Sequence, residues 1–211
     1  AAGAAAGAAT WAADNTETSV SLNLNGYQYK KGAVPADLTL TGTATTTVNI
    51  SSTGNSNKIG ILDVDAAVTK LVASGDKSLS FTLAGTDVPN LDSLDSSAMT
   101  AGGVGANLSN NTLKAGFTFT GGAGNDVLTL RDNQFTSLTA GSQLDGGAGD
   151  DKVVISDTAL SATEYKAINA LKNFEVLGVN NTVTVDASKL TSIKTFSIDG
   201  DNAQTINNMA T

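Results

Sequence analysis

Two stretches of this chain carry the same nine-residue pattern. Gly121-Gly122-Ala123-Gly124-Asn125-Asp126-Val127-Leu128-Thr129 and Gly146-Gly147-Ala148-Gly149-Asp150-Asp151-Lys152-Val153-Val154 both follow G-G-x-G-x-D-x-U-x, with U apolar. That order is the cation-binding repeat of parallel β-helices. A backbone that bends sharply and aims several carbonyl oxygens inward needs left-handed φ values, which glycine reaches without strain. The aspartate adds charge. An all-oxygen donor set suits calcium, which takes roughly six to eight oxygen ligands at about 2.3–2.6 Å. This is the chemistry of binding a hard cation, not of transforming a substrate.

If the turns stack on successive coils, their aspartates lie about 4.8 Å apart. They would repel by roughly 3.5 kcal/mol at an effective dielectric of about 20. A divalent cation between them reverses the sign, so folding and calcium are expected to be coupled. Two Asp-Gly hairpin turns are the plainer alternative, but hairpins need neither all three glycines nor the repetition. A third copy, Gly102-Gly103-Val104-Gly105-Ala106-Asn107-Leu108-Ser109-Asn110, keeps the glycines and has Asn107 where the aspartate belongs. It reads equally as a weaker turn or as a Gly-rich linker over 101–106. Spacings of 19 and 25 residues between the three turns suit one solenoid coil each. Asp145 and Asp150 flank the second turn and either ligate from the side or add negative field.

The surrounding elements read as strands. Val20, Leu22 and Leu24 alternate with polar residues, and Leu38/Leu40, Val48/Ile50, Ile59/Ile61 and Leu79/Phe81/Leu83 repeat the rhythm between Gly, Asn, Asp and Ser. Val64-Asp65-Ala66-Ala67, Leu94-Asp95-Ser96-Ser97 and Val185-Asp186-Ala187-Ser188 resemble one another and read as solenoid corners started by an aspartate. Ser161-Ala-Thr-Glu164 is a capping box opening a helix through Tyr165, Ile168 and Leu171 to about Lys172. Strands resume at Phe174–Leu177, Val183–Val185, Ile193, Phe196–Ile198 and Ile206. Asp199-Gly200-Asp201-Asn202 is a turn and a further calcium candidate. The expected fold is all-β: a right-handed parallel β-helix or β-roll solenoid with calcium-binding glycine-rich turns and one short helix. Three segments are expected: an Ala/Gly-rich arm, linker or helix at 1–16, a β-rich solenoid-like region at 17–100, and a calcium-binding region at 101–211.

Composition narrows the function. The 211 residues hold 20 acidic and 12 basic side chains, a net charge of −8, which argues against nucleic acid and anionic membrane surfaces as partners. Seventeen of the acids are Asp, which favours turns and cation loops over helices. Cysteine and histidine are absent, removing disulfides, thiolate nucleophiles, and the usual general base and zinc ligand. No apolar stretch is long enough to span a membrane. The absence of an initiator Met and a signal peptide suggests a fragment or processed product. Few aromatics and many Thr, Ala, Gly and Asn suit a thin solenoid with one Val/Ile/Leu layer per rung.

The run from about 101 to 211 resembles secreted repeats-in-toxin proteins, and among them the surface-layer proteins of Gram-negative bacteria. The residues that carry the resemblance are FTGGAGNDVLTL (119–130), LDGGAGDDKVVIS (144–156), NFEVLGV (173–179) and VDASKLTSI (185–193). The first hundred residues share only composition and strand rhythm with that family. The resemblance implies type I secretion, an unfolded state where calcium is scarce, and folding and self-assembly outside the cell. It also implies ligand sets: Gly122, Gly124 and Asp126 with Gly146, Ala148 and Asp151 for one site, and Gly103, Gly105 and Asn107 with Gly121, Ala123 and Asp126 for a weaker one. Asn125, Asp145 and Asp150 are further candidate ligands beside these sets. No C-terminal secretion signal of that family is recognisable here.

The leading expectation is a structural, calcium-dependent, self-assembling protein of the bacterial cell surface, anchored to surface polysaccharide, if at all, through a region outside this sequence. A second is the stalk or glycan-binding segment of an adhesin, with loops such as 87–100 making contact. A third, the calcium-roll half of a secreted enzyme, has neither H-E-x-x-H nor G-x-S-x-G to support it. The Asp150–Asp151 pair, nominally fit for glycoside hydrolysis, is better explained by the calcium turn.

Overall fold

The computed structural model of the chain describes residues 9–27, 35–85, 88–138 and 143–209. It is an all-β, right-handed parallel solenoid. Nine strands form one sheet, in the order β1 (Ala9–Ala12), β3 (Leu38–Thr41), β5 (Asn57–Val64), β7 (Leu79–Leu83), β9 (Val104–Asn107), β11 (Val127–Thr129), β13 (Lys152–Ile155), β14 (Val176–Val179) and β16 (Thr195–Ile198). Six form a second: β2 (Ser19–Asn25), β4 (Thr47–Thr53), β6 (Lys70–Gly75), β8 (Ser93–Met99), β10 (Thr118–Thr120) and β12 (Gln143–Asp145). The chain thus crosses between the two sheets once per half-coil as far as β13. β15 (Thr184–Asp186) and β17 (Thr205–Asn207) pair separately.

Period-two alternation decides which side faces inward. In β2, Val20, Leu22 and Leu24 are buried while the residues between them are exposed. Parallel pairing in register then stacks like on like. Val20, Val48, Leu71, Leu94, Phe119 and Leu144 form one column through the second sheet. Leu128, Val153 and Leu177 form another in the first. All nine are buried, so one thin apolar layer serves each coil. Phe119 also meets Phe174, with ring centres 6.1 Å apart. Buried hydroxyls are satisfied along the same stacking direction: Ser52 donates to the Ser78 carbonyl and Ser96 to that of Thr120.

Two of the three expected aspartate corners are present. Asp65 accepts the Ala67 N–H at 3.0 Å, and Asp186 that of Ser188 at 3.2 Å. Asp95 makes the same bond to Ser97, but it lies inside β8, where the register with β6 shifts between Val72 and Ser74. A bulge absorbs the turn there.

The expected helix is α2, running Ala162–Asn169, and it follows a single-turn helix α1 (Gln134–Leu138). The capping box of α2 is complete: Glu164 N–H donates to Ser161 Oγ, and Ser161 N–H to the Glu164 carboxylate. The helix stops short of Lys172 because Lys172 already bridges to Asp145 and starts the next coil. The five residues of α1 are too few to show a helical period. Gln134 fastens it by bonding both the N–H and the carbonyl of buried Leu113.

Residues 1–8 of the Ala-rich segment lie outside the described residues. Ala9–Ala12 forms β1 rather than a helix, with Trp11 set beside Leu40 and half exposed. The open edge of β3 outweighs alanine's modest helix preference. Among the described residues, no helix is long and apolar enough to cross a membrane.

Candidate cation site at the stacked glycine turns

Each nonapeptide begins where a strand of the second sheet ends and runs into a strand of the first. Thr120 pairs with Asp145 before the turns, and Val127 pairs with Lys152 after them. The 25-residue interval is therefore one full coil, and the two turns lie in register, residue upon residue. Main-chain bonds tie them together: Ala148 N–H donates to the Gly122 carbonyl at 2.9 Å, and Lys152 N–H to the Asp126 carbonyl at 2.9 Å. The glycines are required by proximity. A Cβ at Gly121 would lie 1.7 Å from the Gly146 oxygen, and one at Gly146 would lie 2.0 Å from the Asn173 oxygen. Gly147 and Gly149 also adopt φ of 92° and 145°, outside the range of ordinary side chains.

The aspartates point inward and are buried. Each carboxylate reaches back one coil to a backbone N–H. Asp126 Oδ1 accepts from Val104, Asp151 Oδ1 accepts from Asp126 at 2.6 Å, and Glu175 Oε2 accepts from Asp151 at 2.8 Å. Glu175 thus extends the acidic column by one coil. Sequence reasoning missed it, although counting one more coil from Asp126 and Asp151 leads to it.

The two turns differ at one oxygen. In the first, Gly122 N–H donates to Asp126 Oδ2 at 2.9 Å. In the second, the positive φ of Gly147 accompanies an N–H that goes instead to Asp145 Oδ1 at 3.1 Å. Asp151 Oδ2 is consequently buried with no hydrogen-bond partner. Such an atom is costly unless a proton or a cation satisfies it. Burial, followed by the negative charges of Asp126, Glu175 and Asp150, pushes the Asp151 carboxyl up to about 6. Burial raises Asp126 as well.

Asp145 accepts from the Asn173 side-chain amide at 2.7 Å and braces the turn from outside. Asp150 is exposed, and its N–H donates to Asn125 Oδ1 at 3.1 Å. Asp150 and Asp151 therefore face opposite ways. No three acidic side chains among the described residues meet as a metal cluster, so a cation held here would draw most of its ligands from main-chain carbonyls. The partnerless Asp151 oxygen fits calcium's need for a hard anionic donor.

The third copy is corrected. Val127 pairs with Gly105, and Thr129 with Asn107, so Gly105 and Asn107 lie within β9 and not in a turn. Burial of Val104 and Ala106 fixes that register. Asn107 caps the Ser109 N–H instead of facing Asp126. Gly102 and Gly103 do lie under the first turn: a Cβ at Gly103 would sit 1.8 Å from the Asn125 oxygen, and one at Gly124 would sit 2.5 Å from the Gly102 carbonyl carbon.

Asp199 is taken up by Lys152 at 2.8 Å. Of the 87–100 loop, Asp87 lies outside the described residues and Ser93–Met99 is β8, paired on both sides. Comparison of the chain with protein-family models, curated proteins and solved structures returned no match.

Proposed function

We propose that the chain is a calcium-dependent structural module of an extracellular bacterial surface protein of the repeats-in-toxin, surface-layer type. On this reading it leaves the cell by type I secretion and associates with copies of itself in a lattice or filament. The supporting observation is the stacking of two G-G-x-G-x-D-x-U-x turns in register, with a buried, partnerless Asp151 oxygen beside Gly146.

Calcium bound at the turns supplies two positive charges to a column of three acids. The residues that would hold it are Asp151 and Asp126, with the carbonyls of Gly122 and Gly124 from one turn and Gly146 and Ala148 from the next. Glu175 and Asp145 hold the frame by capping backbone and side-chain amides. Where calcium is scarce, the buried acids repel and the turns are poorly stabilised. Where it is plentiful, the coils lock and present a fixed surface for self-association, with no catalytic role. Attachment to surface polysaccharide belongs to regions beyond this sequence. The adhesin reading has less support, because the segment assigned to contact is largely a paired strand.

Negative-stain microscopy tests the assembly step. Sheets or filaments should appear on adding millimolar calcium and dissolve on chelation. A chain that binds calcium and stays monomeric at high concentration would overturn self-assembly, and a glycan array would then test the adhesin reading.

A further inference from the structure

A second group of buried acids lies outside both glycine turns. Asp157 follows β13 and is 1% exposed, while Glu164, in the first turn of α2, is 2% exposed. Each has one oxygen held by the backbone. Asn133 N–H donates to Asp157 Oδ1 at 2.7 Å, and Ser161 N–H donates to Glu164 Oε2 at 2.7 Å. The remaining oxygens, Asp157 Oδ2 and Glu164 Oε1, are both buried without a hydrogen-bond partner. Glu164 and exposed Asp132 both lie within hydrogen-bonding reach of the Asp157 carboxyl. Among the described residues, the ion pairs, such as Lys152–Asp199, involve none of these three acids.

Two facing acceptors with no donor cannot remain charged in a dry site unless positive charge enters between them. A shared proton would leave one negative charge on the pair and a second on Asp132. A divalent cation neutralises the pair outright, and three carboxylates with no nitrogen or sulfur donor select a hard ion. We infer that Asp157 and Glu164, closed over by Asp132, form a second binding site for a divalent cation of the calcium class, clamping the starts of α1 and α2 to the end of β13. Among the described residues no three acids are arranged as a metal cluster, so the buried Asp157–Glu164 pair is the core of the site and Asp132 its outer ligand. The site stands apart from the twin turns and does not depend on them.

Calorimetric titration with calcium chloride tests this on three proteins: the unmodified chain, Asp157→Asn/Glu164→Gln, and Asp126→Asn/Asp151→Asn. Glutamine still accepts the Ser161 N–H, so the capping box survives and circular dichroism should be unchanged. The Asp157→Asn/Glu164→Gln chain should bind one calcium fewer than the unmodified chain. The Asp126→Asn/Asp151→Asn chain should keep that ion, so loss at the glycine turns and loss here are separately visible. Asp132→Asn, a change at an exposed position, should fold normally and weaken this one site about tenfold. Equal stoichiometry and affinity in the unmodified and Asp157→Asn/Glu164→Gln chains would overturn the inference, as would an Asp132→Asn chain with unaltered calcium binding.

Discussion

Gly121→Ala is expected to destabilise the chain by about 3 kcal/mol or more, enough to prevent folding in the absence of calcium. The methyl group would sit 1.7 Å from the Gly146 carbonyl oxygen and 2.6 Å from Asp126 Oδ2. Both neighbours are held from two sides. Gly146 is hydrogen-bonded through its N–H to Lys172, and Asp126 to Val104 and Gly122. Relief therefore requires the coils to separate, which breaks the acidic column together with the stacked turns. Gly116→Ala is the control: a Cβ there meets nothing within 4 Å, and the change should shift the denaturation midpoint little. Urea denaturation of the two variants checks the contrast. Equal midpoints would mean the turns do not stack as tightly as described.

Without divalent cations, the chain is expected to be more stable at pH 5 than at pH 8. Burial lifts the carboxyls of Asp126 and Asp151, the latter to about 6. Burial, with contact from Asp132 and Glu164, lifts Asp157 to about 7. Acids raised in the fold bind more protons folded than unfolded. Their penalty is absent well below the ordinary value of 3.8, grows as pH rises above it, and is complete above the raised value. Between pH 5 and 8 the loss should be on the order of 3 kcal/mol. Chelated samples melted across this range measure it. A rising melting temperature would show that these acids are not buried as described.

The twin turns were legible because a repeat of 25 residues matches one coil, so the second turn falls on the first. Strand positions were legible for a related reason, since a half-buried parallel rung keeps strict alternation. Asn107 was misplaced because the glycine pattern competes there with the apolar pair Val104 and Ala106, and burial of that pair wins the register. Glu175 was missed because it lacks glycine neighbours, although its spacing matches the column. Asp157 was invisible: its partners Asn133, in the turn before α1, and Glu164, in α2, are distant in sequence from each other, and the capping box already accounts for Glu164. The shift of β8 against β6 depends on a bulge that no local pattern announces.

Calcium held at the stacked turns is the step on which the proposed function rests. Its most direct test is a calcium titration at pH 7.5, read by calorimetry and by melting, of the unmodified chain and Asp126→Asn/Asp151→Asn. Asparagine keeps an acceptor oxygen for the Val104 and Asp126 N–H groups while removing the buried charge, and among these bonds only that from the Gly122 N–H is given up. At a hundredfold excess over Kd, the unmodified chain should gain about 3 kcal/mol per site, or roughly 5–10 °C in Tm. The variant should lose one class of binding heat and at least half of that rise. Identical heats and an identical rise in both proteins would contradict a calcium site at the glycine turns.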